Sequence, residues 1–80
     1  MMKVVNEVNV KNIKDFYKAL RDELEKNSEV VLDFTDTLRI DSSAAQVIIS
    51  AMNRAAVLNK KISITGASPE MKTLLSLAGL

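Results

Sequence analysis

The side chains best placed for chemistry are two adjacent serines, Ser42 and Ser43, which directly follow Asp41. The next stretch, about 17 residues rich in Ala, Ile and Met, is typical of a helix packed on one face. The serines therefore lie at a helix start, where backbone N–H groups are unpaired and the helix dipole is positive. Such a position tolerates an added phosphate and can present a polar surface to a partner. Simple helix capping is the alternative role for these residues.

Other reaction chemistry finds little support in the composition. The chain contains neither cysteine nor histidine, which removes thiol nucleophiles, imidazole bases, zinc-type clusters and disulfides. Asp33 and Asp36 lack a supporting cluster of acids, so we expect them to cap neighbouring groups or to face water. The sequence therefore predicts no enzymatic activity, no metal site and no cofactor.

Size and charge restrict the partners. The 80 residues predict one domain, residues 1–80, and a net charge of +1 gives no general attraction to nucleic acid or to a membrane surface. No apolar run approaches the roughly 20 residues that span a bilayer, and the Met1 to Lys3 start lacks the apolar core of a signal peptide. We expect a cytoplasmic protein that does not insert into membranes and that recognises another protein.

Hydrophobic periodicity predicts the first half of the fold. Valines alternating with polar residues indicate a strand over 3–8. Apolar residues three or four apart then indicate an amphipathic helix, capped by Asn9 or Asn12 and ending near Asn27. The continuous apolar run over 30–35 predicts a central strand.

The second half continues the alternation of strands and helices. A helix over about 42–58 has a wide apolar arc and a narrow polar stripe formed by Gln46, Ser50, Asn53 and Arg54. A strand over 60–65 has one apolar side, which suits a sheet edge, and a closing helix starts at Ser68 and stops at Gly79. The order β-α-β-α-β-α predicts an α/β fold with a small, mostly parallel sheet.

Three segments in this order resemble the STAS domain, which is found in anti-sigma factor antagonists and small bacterial relatives. Residues 30–35 are similar to the family's apolar strand that ends in an acid and a small polar residue. Residues 40–43 are similar to its Asp-Ser-Ser turn, and residues 66–80 resemble its closing helix with a terminal Gly-Leu. The resemblance covers nearly the whole chain and implies a STAS-like fold that is shortened at the N-terminal hairpin.

The resemblance also implies a role. In the family's switch members, a partner anti-sigma kinase phosphorylates the hydroxyl residue directly after the Asp, and the complex then dissociates. That residue is Ser42 here, with Ser43 as the fallback acceptor. The resemblance implies a bacterial transcription regulator without enzymatic activity. We expect it to bind its partner through Asp41, Ser42, Ser43, Gln46, Ser50, Asn53 and Arg54.

A second role remains open. Switch members usually continue with Gly-Leu where this chain has Ala44 and Ala45. Residues 39–41 and 68–70 also look like the small STAS proteins that accompany lipid-transport ATPases and chemotaxis operons. The alternative is therefore a constitutive accessory subunit of an ABC-type lipid transporter ATPase or a chemotaxis-associated assembly, without phosphorylation. Formation of a homodimer through an exposed first strand is a further alternative.

Overall fold

The computed structural model describes residues 1–79, which form three helices and five short strands. In chain order these elements are β1 (Met2–Lys3), β2 (Glu7–Val8), α1 (Ile13–Lys26), β3 (Glu29–Asp33), β4 (Arg39–Ile40), α2 (Ser42–Val57), β5 (Lys61–Thr65) and α3 (Pro69–Ala78). Leu80 lies outside the described residues.

The strands form two small parallel sheets. One sheet has three strands in the order β1-β3-β5, and the other pairs β2 with β4. The predicted parallel α/β fold is therefore confirmed. The apolar β3 is central, and β5 lies at the edge, as its one apolar side indicates.

The prediction of one strand over 3–8 is wrong in one respect, because the structure has two short strands there, β1 and β2. Their partners β3 and β4 are separated by a turn, and the hydroxyl of Thr37 in that turn donates a hydrogen bond to the Val5 carbonyl at 2.9 Å. The same turn ends the strand predicted over 30–35 at Asp33. The backbone groups between β1 and β2 thus bond to a turn rather than to a continuous neighbouring strand.

The core lies between one face of the three-stranded sheet and the helices. Right-handed crossovers that step in one direction across the sheet place α1 and α2 on the same face, and α3 packs against α2. The buried apolar side chains are Val4, Val8, Phe16, Leu20, Leu24, Val30, Leu32, Phe34, Ile40, Ala44, Ala45, Ile48, Ala51, Ala55, Ile62, Met71 and Leu75.

The opposite face of the sheet is mostly polar. The strand register places Lys3, Val31, Asp33, Ser63 and Thr65 on it, and only the aspartate is buried. That carboxylate accepts hydrogen bonds from the hydroxyl and the N–H of Thr35, which lower its pKa. It therefore caps a neighbouring turn, which is one of the two roles that the sequence predicts.

Helix boundaries follow local chemistry. Asn12 precedes α1, but its side-chain oxygen accepts a hydrogen bond from the Asn9 N–H at 2.9 Å, so it orders the loop instead of capping the helix. Ser68 caps α3 as predicted, because its hydroxyl accepts a hydrogen bond from the Met71 N–H at 3.2 Å. Gly79 ends α3 in a left-handed conformation, with φ of 120°.

Gly66 provides a test of the close approach between the end of β5 and the turn after β3. Its φ is +73°, and an added Cβ would lie 2.5 Å from Oγ1 and 2.8 Å from the N atom of Thr35. We expect Gly66→Ala to lower the free energy of unfolding by about 1–3 kcal/mol or more, measured by urea denaturation. Gly79→Ala is the control for backbone strain alone: its φ is also positive, at +120°, but its Cβ would meet only a methyl group at 4.0 Å, so we expect a smaller loss of stability. Wild-type stability for Gly66→Ala would contradict the close approach.

Candidate functional site

Asp41 organises the start of α2. It follows β4 in extended conformation, and its Oδ1 accepts hydrogen bonds from the Ala44 N–H at 2.9 Å and the Ser43 hydroxyl at 2.6 Å. An aspartate in this position satisfies an N–H group that the helix leaves unpaired and complements the positive end of the helix dipole. The predicted helix cap is confirmed.

The other carboxylate oxygen reaches a different part of the chain. Oδ2 of Asp41 accepts a hydrogen bond from the Val10 N–H at 3.1 Å, and the Asp41 N–H donates to the Val8 carbonyl at 3.1 Å. The bond to Oδ2 holds Val10 near the start of α2. The cap therefore fastens the loop between β2 and α1 to the start of α2.

The two adjacent serines differ in environment. Ser42 is exposed at the first residue of α2, whereas Ser43 is partly buried and uses its hydroxyl to bond Asp41. The structure therefore leaves Ser42 as the hydroxyl that is accessible to another protein.

The predicted polar stripe lies on the outer surface of α2. Gln46, Ser50, Asn53 and Arg54 are all exposed, while the opposite side of the helix is buried between α1 and α3. Helical spacing aligns Ser42, Gln46 and Asn53 along the centre of this surface. Ser50 and Arg54 instead border the groove toward α1.

Two apolar residues that sequence reasoning missed extend this surface. Val10, whose N–H bonds Asp41, is 71% exposed, and Val57 is 73% exposed on the last turn of α2. The helical period could have placed Val57 on the outer side of α2. Val10 carries no local signal, because its position depends on pairing with a segment about thirty residues later. We name the surface formed by Val10, Ser42, Gln46, Ser50, Asn53, Arg54 and Val57 the α2 face.

The hydrogen bonds at Asp41 also fix its ionisation. The Ser43 hydroxyl and then the Ala44 N–H lower the pKa of the Asp41 carboxyl, and together with the weaker contribution of the Val10 N–H they outweigh the opposing effect of burial. Asp41 is therefore ionised at neutral pH, and a negative charge is fixed beside Ser42.

The described residues offer neither a cluster of metal-ligating side chains nor a membrane-spanning helix. Residues 1–79 contain no group of three His, Cys, Asp or Glu side chains that could hold a metal ion. None of the helices in this part of the chain is both long enough and apolar enough to cross a membrane.

The pKa of Asp41 predicts a pH-dependent stability. Because the folded-state pKa is lowered, this carboxylate stabilises the protein above its unfolded pKa of about 3.9, and the contribution is lost as the pH falls through the folded value. We expect Asp41→Asn to be less stable than the wild type by about 0.5–1 kcal/mol at neutral pH. The difference should close on acidification, as measured by urea denaturation across pH.

Glu25→Gln is the control for this experiment, because Glu25 is an exposed carboxylate on α1 away from the helix cap. Its stability should follow that of the wild type across the same pH range. A difference between Asp41→Asn and the wild type that stays constant down to acidic pH would contradict the role of the ionised cap.

One of three comparisons with known proteins found a match. The whole chain, residues 1–80, matches the family model described as Mlab, STAS domain. A search of the curated proteins found no significant match, and a search of the solved structures also found none. STAS domains in general act as protein-interaction modules. The fold, with small parallel sheets and three helices, is consistent with this family. Because the family model matches the chain along its full length, this chain belongs to the STAS domain family.

Proposed function

We propose that the chain binds a regulatory protein through the α2 face and that phosphorylation of Ser42 releases this partner, as in anti-sigma factor antagonists. One observation carries the proposal. Ser42 is exposed at the first residue of α2, and the Asp41 cap engages the neighbouring Ser43 instead. The accessible hydroxyl is the one that the Asp-Ser-Ser motif of the switch members would assign.

The α2 face has the chemistry of a protein-binding surface. Val10 and Val57 supply apolar side chains at its two ends, with hydroxyl and amide groups between them. Arg54 is the only charged residue in this set. From Ser42 to Val57 the helix rises about 22 Å, which suits a docked helix or strand of a partner. A mixture of apolar anchors and neutral polar groups is common in interfaces that form reversibly.

A phosphate on Ser42 would change this surface in a defined way. It adds nearly two negative charges beside the ionised Asp41 carboxylate and next to Val10. In the free protein, water and the positive end of α2 stabilise the phosphate. A partner that covers Val10 would strip water from that charge, so we expect the modified protein to bind much more weakly.

Ser43 is the poorer acceptor. Its hydroxyl donates to Asp41 at 2.6 Å and is partly buried. Phosphorylation there would remove this hydrogen bond and bring a dianion against the capping carboxylate. Modification at Ser43 would therefore cost helix stability as well as partner binding, which favours Ser42.

Phosphorylation is tested with the kinase partner recovered from the native host. Incubation with that kinase and ATP should add one phosphate, located by mass spectrometry on Ser42 and abolished by Ser42→Ala. Ser43→Ala should still be modified. Absence of the modification from Ser42 in the wild-type protein would contradict the switch mechanism.

Binding is tested separately with charge variants. We expect Ser42→Asp to weaken the partner's affinity about tenfold or more, because it places a carboxylate at the same position. Ser76→Asp is the matched control, since Ser76 is exposed on α3 outside the α2 face. Equal affinities of Ser42→Asp and the wild type, measured by calorimetry, would show that the partner does not contact Ser42.

Val10 tests the extent of the surface without involving phosphate. We expect Val10→Asp to weaken partner binding about tenfold, because the partner would have to desolvate a carboxylate at this end of the α2 face. Val5→Asp is the control, since Val5 is 55% exposed and not part of the α2 face. If Val10→Asp binds as tightly as Val5→Asp and the wild type, the loop before α1 does not belong to the interface.

A constitutive accessory subunit of a transporter ATPase is the second candidate. It is supported by the resemblance of residues 39–41 and 68–70 to the small STAS proteins that accompany lipid-transport ATPases, and by Ala44 and Ala45 where switch members usually continue with Gly-Leu. Such a subunit would use the same α2 face without modification. Co-purification with an ATPase from the native host, together with no phosphate on Ser42 in the protein isolated from that host, would favour this candidate over the switch.

A further inference from the structure

We propose that two copies of this chain associate through an apolar patch between β4 and α3. We name it the Leu38–Leu77 patch, formed by Leu38, Arg39, Glu70, Leu74 and Leu77. It shares no residue with the α2 face. The proposal therefore does not depend on the proposed function.

The patch combines exposure with a defined shape. Leu38 is 80% exposed and Leu77 is 81% exposed, the highest values for any leucine in residues 1–79. Both border one cavity of about 300 Å³, whose floor includes the buried Ile40 and Met71 and the partly buried Leu74. An exposed leucine of one copy can therefore insert into the apolar cavity of the other copy.

Both leucines are presented by ordered backbone. The N–H of Leu38 donates to the Asn6 carbonyl at 2.7 Å, which holds the residue just before β4. Leu77 lies in the last turn of α3. A turn before a strand is normally polar, and monomeric proteins limit contiguous apolar surface. The exposure of both side chains is therefore a feature that a binding partner would explain.

The charges around the patch favour a second copy as that partner. Arg39 comes from β4 and Glu70 from the first turn of α3, and both line the same cavity. A two-fold axis through the patch places Arg39 opposite Glu70 of the second copy, twice, while Leu38 meets the second copy's Leu77. The net charge of +1 gives two copies little mutual repulsion.

The ion pair between Arg39 and Glu7 within one copy is too weak to prevent Arg39 from contacting a second copy. Its guanidinium lies 3.7 Å from a carboxylate oxygen of Glu7, and both side chains are well exposed. Such a surface pair contributes little to stability, so Arg39 can reorient toward a second copy.

The structure disfavours the homodimer through the first strand that the sequence left as an alternative. β1 has only two residues, and Lys3 within it forms an ion pair with Asp36 at 3.0 Å. A short edge with a lysine discourages strand pairing between copies. The side-chain contacts of the Leu38–Leu77 patch therefore provide the better surface.

Analytical ultracentrifugation tests the association. The wild-type protein, studied from about 1 to about 300 µM, should show a concentration-dependent dimer. Leu77→Glu and Leu38→Glu should each raise the dimer dissociation constant about tenfold or more, because each places a carboxylate in the apolar contact. Tyr17→Glu is the control, since Tyr17 is also an exposed large side chain but lies on α1, outside the patch. It should leave the dissociation constant unchanged.

A charge exchange tests the two-fold arrangement. Arg39→Glu and Glu70→Arg should each weaken the dimer, and the double variant should regain most of the wild-type affinity because the opposing charges are restored. Circular dichroism identifies any variant that fails to fold. A wild-type protein that remains monomeric over the whole range would overturn the proposal. A dimer that tolerates both leucine substitutions, or a folded double variant that is no tighter than the single variants, would also overturn it.

Discussion

The Asp41 carboxylate is the interaction on which the candidate site depends. Its two oxygens accept hydrogen bonds from the first turn of α2 and from the loop before α1, which lies about thirty residues earlier in the chain. One ionised group therefore caps α2 directly after β4 and holds Val10 near the start of that helix. Because Ser43 is used in this cap, Ser42 is left as the accessible hydroxyl.

The packing of α2 explains why one surface of this helix is free. The side of α2 that faces the core contains Ala44, Ala45, Ala51 and Ala55, whose small side chains allow close approach to the neighbouring elements. α1 and α3 pack on its two flanks. The remaining outer surface carries the polar stripe, so burial of the alanines and presentation of the α2 face are consequences of the same pattern.

Sequence reasoning worked where the determinants are local. The caps at Asp41 and Ser68 follow from residue type and helical spacing, and the structure has both hydrogen bonds. It missed features that need contacts distant in sequence, such as the position of Val10 and the bond from the Lys60 ammonium to the Leu24 carbonyl near the end of α1. The split first strand has the same cause, because a turn more than thirty residues away supplies its hydrogen bonds.

The central claim is that a partner protein covers the α2 face around Ser42. Its most direct test is an NMR titration of the ¹⁵N-labelled protein with the partner that co-purifies from the native host. We expect the largest amide shifts on residues 9–12 and on the first two turns and exposed stripe of α2. Shifts confined to the polar sheet face, with Lys61–Thr65 affected and Ser42 unchanged, would contradict it.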